Sequence, residues 1–404
     1  MNLSLALYLR EINENIEVKE GEQLAQCFTF QDERHSRSNR LMTEFSENEI
    51  NSKVGPPFAD LIVAHVKCCY FILNEDYEEA FKHQTTSIQT VTKILQGMKE
   101  ENWLLPVLYV LSRDLRLLSI AADKQIANES NRRSGHKPNE NLEKAADLLM
   151  AVFRVCATDT RASNENSKRK AMMNIINQLF KIYFKINKLN LCKPLIRALE
   201  NANLMDQFTL AQKVTYNYFL GMKCMFDSEY KKADELLTFS FNKCYPKSTK
   251  NKRLILIFLI PVKMLLGQMP KRSLLENYSV LEFEPIVEAV KDGDLRKLDA
   301  ALEHYSDFYW NFGIYLVLEK LRIIAYRNLF KKVCLIMKTH QVPISSFQQI
   351  LKFIQQEDIS LEEVHCILAN LIYEGKIKGY ISLQHQKLVI SKQNPFPSLS
   401  TLQG

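Results

Sequence analysis

The sequence predicts a mainly α-helical protein, a right-handed stack of helical hairpins that ends in a C-terminal winged helix. Three observations support this fold class. Gly and Pro are scarce, with 11 and 12 copies in 404 residues, which favours helices over a fold of many strands. A helical motif recurs in the middle of the chain. Near the C-terminus, the spacing of apolar residues changes from that of helices to that of two short strands.

The pattern divides the chain into three parts. The first holds an amphipathic helix, with Leu3, Leu7 and Ile12 on one face, and then the polar segment Gln31–Arg40, which we expect to be mobile. The second is a helical-repeat region, and the third is the winged-helix part. The three parts are residues 1–50, 51–310 and 311–404.

An internal repeat supports the helical stack. Leu142–Cys156 aligns without gaps on Tyr230–Cys244, and Asp76–Ala80 resembles the start of another copy. Gly221 and Ala233 lie close to the spacing of a tetratricopeptide unit, where small residues let paired helices approach closely. Such stacks bury a continuous core and offer extended surfaces to other proteins.

Two polar segments interrupt the helical pattern. Ala127–Asn141 is predicted to be an exposed loop. Lys247–Arg253 is predicted to be a second, basic loop, which is either an ordinary loop, a nuclear import signal or an anion patch. The longest apolar run, Leu254–Leu266, is interrupted by Pro261 and Lys263, so we expect a buried helix and no membrane insertion.

Charge and cysteine usage limit the class of protein. The net charge is +7, and residues 311–404 account for +5 of it, with eleven Lys and Arg against six Asp and Glu. A basic terminal domain suits an anionic partner, although a solvated surface explains it equally well. None of the nine cysteines is spaced C-x-x-C, and most, including Cys68, Cys156 and Cys366, lie in apolar runs. They are expected to be buried thiols in the cytosol or nucleus.

The C-terminal part has the element order of a winged helix. Ser360 and Glu363 form a capping box for the last helix, and Gly375 provides its C-terminal stop. The predicted elements are a long helix Phe312–Lys338, a helix that begins near Ser345, a helix Leu361–Tyr373, and strands Lys376–Ile381 and Lys387–Ser391.

Positive charge lies on the wing and on the long helix. Lys376, Lys378 and Tyr380 point away from the apolar face of their strand, and Lys387 does so on the next strand. Basic residues also follow one stripe of the long helix, with Lys332 beside it. The stripe consists of Lys320, Arg327, Lys331 and Lys338.

The third helix is a poor reader of DNA sequence. A recognition helix presents basic and amide side chains to the major groove, whereas Leu361–Tyr373 carries Glu362 and Glu363 and no Lys or Arg. The wing and the stripe are better placed for phosphate contacts, which provide affinity without base specificity. Tyr380 adds a possible stacking surface for single-stranded bases.

The sequence offers no catalytic, cofactor or metal motif. Phosphate-binding loops, dinucleotide fingerprints and zinc-protease motifs are absent. His365 and Cys366 are adjacent on a helix and therefore diverge. His65 near Cys69 provides two ligands, which do not make a zinc site. We expect a protein that is not an enzyme, with no cofactor; a pocket of converging titratable groups would revive the opposite view.

Helical repeats that end in a winged helix resemble the PCI domain, the scaffold module of the proteasome lid, the COP9 signalosome and initiation factor 3. Longer strings resemble the PCI-domain subunit of the nuclear transcription-and-export complex. The likeness runs from about Pro56 to the end. Its strings are Lys99–Pro106, Asn177–Leu189, Cys192–Ala198, Pro261–Gly267, Tyr326–Lys332, Ile367–Tyr373 and Gly379–Pro397.

The resemblance implies a subunit that couples transcription to messenger RNA export at the nuclear pore, with the nucleus as its main location and the cytoplasm as a second one. Its implied partners are a larger PCI scaffold similar to germinal-centre-associated nuclear protein, the small acidic deleted-in-split-hand/split-foot protein, and RNA with little sequence preference. Two adjacent winged helices would form a basic platform. The implied contacts are Lys376, Lys378, Lys387 and Lys392, followed by Arg327, Lys331 and Lys332. The alternative is a purely structural subunit of a lid-like or signalosome-like assembly that does not contact RNA.

Overall fold

The computed structural model describes residues 3–99, 101–129, 137–159, 165–355 and 358–401. It divides into two compact units, Met1–Tyr216 and Asn217–Gly404. The division at residues 50 and 310 remains a prediction from the sequence pattern. Within the described ranges, no helix combines the length and the apolar character needed to span a bilayer.

The first unit is entirely helical in its described part. Helices α6 to α10 pack as successive antiparallel pairs, and alternate helices also touch, so the array has two layers. The helices are α1 Leu5–Glu17, α2 Gly21–Cys27, α3 Glu33–Ser36, α4 Asn39–Thr43, α5 Glu47–Lys53, α6 Phe58–Leu73, α7 Tyr77–Gly97, α8 Leu105–Glu129, α9 Glu140–Ala157, α10 Met172–Lys185 and α11 Cys192–Asn201, with 3-10 turns at Lys168–Ala171, Leu189–Leu191 and Met205–Gln207.

Helix α12, Leu210–Phe226, contains the boundary between the units, and the second unit continues with further helices and a small sheet. Its elements are α13 Tyr230–Lys243, α14 Thr249–Leu265, α15 Arg272–Asn277, α16 Glu284–Asp292, α17 Leu295–His304, α18 Ser306–Asn311, α19 Tyr315–Glu319, α20 Arg322–Met337, β1 Gln341–Pro343, α21 Ile344–Gln355, α22 Leu361–Tyr373, β2 Gly379–Ser382 and β3 Lys387–Ile390, with 3-10 turns at Leu281–Phe283 and Leu399–Thr401.

The predicted repeat corresponds to equivalent helices. Its three copies fall at the start of α7, on α9 and on α13. The shared alanines Ala80, Ala145 and Ala233 are all completely buried, which is what close helix packing requires. Gly221 of α12 has the same role, because a Cβ there would lie 2.7 Å from Cγ of Leu237 on α13. Stacked helical hairpins are therefore confirmed.

The N-terminal part differs from the prediction. In place of a mobile polar segment, residues 33–43 form the short helices α3 and α4. Ser38 fixes this segment, since its Oγ donates to the Leu3 carbonyl at 3.0 Å and accepts from the Leu41 amide at 3.3 Å. The buried face of α1 also excludes Leu7, which is 54% exposed. Capping interactions offset the low apolar content here.

Two further expectations about loops were wrong in part. Helix α8 continues to Glu129 and α9 begins at Glu140, so both helices extend into the predicted loop; residues 130–136 lie outside the described residues. The basic cluster at residues 247–253 lies mostly on the first turns of α14. There Arg253 donates Nε to the Ser279 carbonyl at 3.0 Å, which ties this side chain to the fold. The buried helix predicted at Leu254–Leu266 is confirmed.

The winged helix is confirmed with two corrections. The predicted long helix Phe312–Lys338 is divided into α19 and α20, with the break at Lys320–Leu321, and Gly313 with φ 68° separates α19 from α18. A third strand, β1, is present that the sequence pattern did not indicate. The antiparallel sheet has the order β1–β3–β2, with Val342 opposite Leu388 and Ile381 opposite Leu388 on the other side.

Lys168 closes the C-terminus of α7. This buried side chain donates Nζ to the carbonyls of Leu95 and Met98, the latter at 2.9 Å. Hydrogen bonds from a charged donor to otherwise unpaired carbonyls are worth about 1.5–3 kcal/mol. We expect Lys168→Met to lower the free energy of unfolding by about 2 kcal/mol in urea titrations. Lys93→Met, which removes an exposed lysine of α7, should change it little; equal effects would contradict this capping role.

A second prediction concerns pH. His35 and His65 are buried with their ring centroids 5.3 Å apart, and burial lowers the pKa of both, that of His35 to about 4. Asp32 raises this value and Arg34 lowers it. Below pH 6.5 the unfolded chain therefore takes up protons that the folded chain excludes. The contribution of these histidines to the free energy of unfolding is complete above pH 6.5 and is lost as the pH falls toward 4.

When the pH is lowered from 7.5 to 5.5, we expect His35 to reduce the free energy of unfolding by about 1 kcal/mol. Urea titrations at both pH values should show a smaller loss for His35→Asn than for the wild type. His385→Asn, at an exposed position, is the control and should keep the wild-type pH dependence. An unchanged pH dependence in His35→Asn would contradict the assignment.

Candidate functional site

The β2–β3 hairpin determines which wing residues face solvent. Ile381 pairs with Leu388 on the inner face, where Leu388 is completely buried. The alternate positions, Tyr380 opposite Val389 and Ser382 opposite Lys387, therefore face outward. Tyr380 is 62% exposed. The predicted outward orientation is confirmed for Tyr380, whereas Lys376 and Lys378, which were predicted to lie on this strand, precede β2.

The wing presents lysines at both of its ends. Lys378 is exposed and lies at the base of the hairpin, where its carbonyl accepts from the Ser391 amide at 2.8 Å. Lys392 follows directly and is also exposed. Lys387 is half-buried at the turn end of β3. Within the described part of the chain, none of these three ammonium groups is paired with a carboxylate.

Lys376 is arranged differently from the other wing lysines. Its Nζ forms an ion pair with Glu374, and its side chain is only 17% exposed. The pair is short-range and partly shielded from water, so the positive charge is largely compensated. Lys376 is therefore less available to a phosphate than the sequence pattern suggested.

Arg327 is not available as a surface contact, which corrects the predicted stripe. It is 6% exposed and donates Nη2 to the Pro397 carbonyl at 2.7 Å. Its guanidinium lies 5.9 Å from the Phe396 ring centroid. Burial lowers the pKa of Arg327. This side chain anchors the C-terminal tail to α20.

Of the remaining stripe residues, Lys320 lies before α20, whereas Lys331 and Lys338 lie on this helix and at its end. Lys331 is exposed and has no ion-pair partner among the described residues. Lys332 donates to the Asp292 carbonyl at 2.8 Å. Lys320 precedes α20 and donates to the Tyr230 hydroxyl at 2.9 Å, and Lys338 ends the helix with φ 51°. The predicted single stripe of Lys320, Arg327, Lys331 and Lys338 is therefore not formed.

Helix α22 has an acidic start and no basic outer face. Its capping box is confirmed: the Glu363 amide donates to Ser360 Oγ at 3.2 Å, and the Ser360 amide donates to Glu363 Oε2 at 2.9 Å. Glu362, Glu363 and Tyr373 are exposed. Cys366 is exposed too, contrary to the expectation of a buried thiol. The side chains on this helix do not suit base-edge contacts in a major groove.

The second unit also contains a groove of about 1010 Å³ beside the winged helix. Apolar side chains provide much of its lining, and charged side chains of both signs accompany them. The sequence did not indicate this groove because its walls come from distant segments. Its lining includes Lys231, Lys232, Leu265, Leu266, Lys320, Arg322, Ile323, Tyr326, Ile367, Glu374, Lys376 and Leu399.

Comparison with known proteins identifies the family. The family model described as the PCI domain matches residues 302–392. PCI domain-containing protein 2 of Xenopus laevis is 48% identical over 401 residues, which cover 99% of each chain. The Danio rerio protein of that name is 47% identical with the same coverage. The chain belongs to the PCI domain-containing protein 2 family. The Protein CSN12 homolog of Neurospora crassa is 32% identical over 333 residues, 74% of each chain.

Membership of this family makes the chain a PCI scaffold protein. PCI domain proteins are generally non-catalytic scaffolds. In the described ranges, no group of three or more His, Cys, Asp or Glu side chains is arranged to hold a metal ion. His65 Nε2 lies 3.5 Å from Cys69 Sγ, inside the aromatic core of the first unit.

Some surface features of this PCI protein were not predicted. Leu335 and Ile336, near the end of α20, are 64% and 77% exposed, and Phe353 on α21 is 79% exposed. The spacing of apolar residues did not single out these side chains, because their exposure depends on which faces of α20 and α21 pack against the core. Exposed apolar side chains on a folded domain are typical of protein interfaces.

The Arg327 anchor leads to a stability prediction. Arg327→Met removes the hydrogen bond to Pro397 and should lower the free energy of unfolding by about 2 kcal/mol in urea titrations. It should also speed proteolysis within residues 392–401, because the tail loses its attachment. Lys331→Met, one turn further along α20, serves as the control. Loss of RNA binding in Arg327→Met without loss of stability would contradict the anchoring role.

Proposed function

We propose that this PCI protein is a non-catalytic scaffold subunit of the nuclear complex that couples transcription to messenger RNA export. In this proposal, its winged helix contributes a basic surface for RNA. The observation that carries the proposal is the set of unpaired lysines on the winged helix. Four of the seven expected contacts are exposed or half-buried and have no ion-pair partner among the described residues: Lys331, Lys378, Lys387 and Lys392.

The chemistry of this surface suits a phosphate backbone. Ammonium groups act as point charges that release counterions from nucleic acid, which provides affinity without sequence preference. Lys387 lies on β3, on the same face of the hairpin as the exposed ring of Tyr380, and Lys378 directly precedes β2. An exposed tyrosine next to lysines suits single-stranded bases, which stack on aromatic rings. Lys376 and Lys332 are already paired and would contribute less.

Protein partners would use other surfaces. The exposed apolar side chains Leu335, Ile336 and Phe353 support pairing with a larger PCI scaffold similar to germinal-centre-associated nuclear protein. The groove beside the winged helix suits an extended segment of the small acidic deleted-in-split-hand/split-foot protein. Its apolar lining would accept apolar side chains, while Lys231 would face the acidic ones. Such partners would place the chain in the nucleus, at the nuclear pore.

A purely structural PCI subunit without RNA contact is the second candidate. The acidic start of α22, the burial of Arg327 and the carboxylate partners of Lys332 and Lys376 favour it. The two candidates differ in one measurable property, the affinity of the assembled complex for RNA.

The test is RNA binding by the complex with its PCI partner. We expect Lys378→Glu/Lys387→Glu/Lys392→Glu to weaken binding of single-stranded RNA by about tenfold or more at low salt. The slope of log affinity against log salt should fall by about 2, since each lost phosphate contact removes about 0.7. Fluorescence anisotropy at several salt concentrations measures both quantities.

The matched control is Lys93→Glu/Lys193→Glu/Lys243→Glu. It makes the same change in net charge at exposed lysines outside the winged helix. Binding should be close to that of the wild type, apart from a small long-range effect. If the wing variant and the control variant bind equally well, the structural candidate replaces the RNA-binding one.

A further inference from the structure

Helices α8 and α10 of the first unit bring together basic side chains that the proposed function does not use. Arg116 on α8 donates Nε to Oε1 of Gln178 on α10 at 2.8 Å. Lys181 follows Gln178 by one turn of α10, so its side chain lies on the same face of α10 as the residue that Arg116 contacts. Arg113 lies one turn before Arg116. All three cationic side chains are partly shielded from solvent.

Arg113 is already fully engaged. Its Nε donates to Asp114 Oδ1 at 2.9 Å, and Nη1 and Nη2 donate to Gln31 Oε1 at 3.2 Å and Thr29 Oγ1 at 2.8 Å. Asp114 is 2% exposed and also accepts from the Phe30 amide at 3.4 Å. The Asp114 carboxylate is therefore used by Arg113 and by the backbone of the N-terminal segment.

Arg116 and Lys181 remain without an anionic partner. In the part of the chain that the structure describes, Arg116 Nη1, Arg116 Nη2 and Lys181 Nζ have no hydrogen-bond or ion-pair partner. Burial, and after it the positive charges of Arg116 and Arg113, lower the pKa of Lys181 to about 8. Like charges that are near each other and partly out of water disfavour each other. A bound anion would remove that cost.

We propose that Arg116 and Lys181 form a binding site for the dianion of a phosphate monoester. Nε of Arg116 is fixed by Gln178, which leaves its two Nη atoms as a fork for two oxygens of one anion. The Lys181 ammonium would face a third oxygen. Two cations match a dianion in charge, whereas one carboxylate would leave a positive charge uncompensated. Thr29 and Gln31 hold Arg113 aside, so it adds positive potential without occupying the site.

This site is separate from the proposed RNA surface, because it lies in the first unit and the RNA surface lies on the winged helix. A negative result for the phosphate site would therefore leave the proposed RNA surface untouched, and the reverse is also true. Inorganic phosphate is the first probe, titrated into the full-length chain by calorimetry in a chloride buffer of constant ionic strength. Sulfate, which has the same shape and charge, is the second probe.

We expect Arg116→Gln and Lys181→Met each to weaken phosphate binding at least tenfold. Lys181→Met should fold normally and keep or gain stability without phosphate, since it removes a partly buried like charge. Lys181→Arg should restore part of the affinity. Arg10→Gln and Lys185→Met, at exposed positions in the same unit, should bind like the wild type.

The pKa of Lys181, measured by NMR titration of the lysine side chains with and without phosphate, is a readout that a merely structural role would not change. Phosphate should raise the pKa of Lys181, because a neighbouring dianion stabilises the ammonium form. Binding that is equally strong in Arg116→Gln, Lys181→Met and the controls would overturn the proposal. So would an unchanged Lys181 titration in saturating phosphate.

Two further probes identify the source of the phosphate. If a phosphoserine peptide binds more tightly than inorganic phosphate, and Lys181→Met abolishes this binding, the result supports the site and identifies its ligand as a phosphorylated protein. Equal affinities support the site and assign it to free phosphate. Single-stranded RNA that responds to Lys181→Met when neither monoester does would overturn the proposal, because RNA presents singly charged diesters.

Discussion

The close approach of paired helices at completely buried small residues is the constraint on which this structure depends. Ala80, Ala145 and Ala233 occupy equivalent places on α7, α9 and α13, and each has no exposed surface. Gly221 allows α12 and α13 to approach so closely that a methyl group would collide with Leu237. Larger side chains at these places would separate the helices and expose the apolar stripes on either side.

Burial of polar groups follows from this packing, and the fold satisfies most of them by specific contacts. Lys168 closes α7, Ser38 fixes the N-terminal segment, and Arg327 holds the C-terminal tail. Each of these side chains looks like an ordinary surface residue in the sequence. Their partners are backbone carbonyls, which carry no sequence signal. Two of the three bonds, those of Lys168 and Arg327, join residues 70 positions apart in the chain.

The same principle separates basic residues that stabilise the fold from those that remain available to partners. On the winged helix, Arg327, Lys332 and Lys376 have intramolecular partners, whereas Lys331, Lys378, Lys387 and Lys392 do not. In the first unit, Arg113 is saturated by Asp114, Gln31 and Thr29, whereas Arg116 and Lys181 retain free donors. Unpaired cations in partly shielded places are the natural positions for anionic ligands.

The sequence by itself determined the helical class, the repeat, the capping box at Ser360 and the alternating faces of the wing. These features depend on local periodicity and on neighbours within a few residues, so the pattern contains the information. The tertiary structure alone decided the burial of Arg327, the break between α19 and α20, strand β1 and the groove beside the winged helix. A three-residue strand such as β1 is too short to show a period, and the availability of a charge depends on partners brought close only by folding.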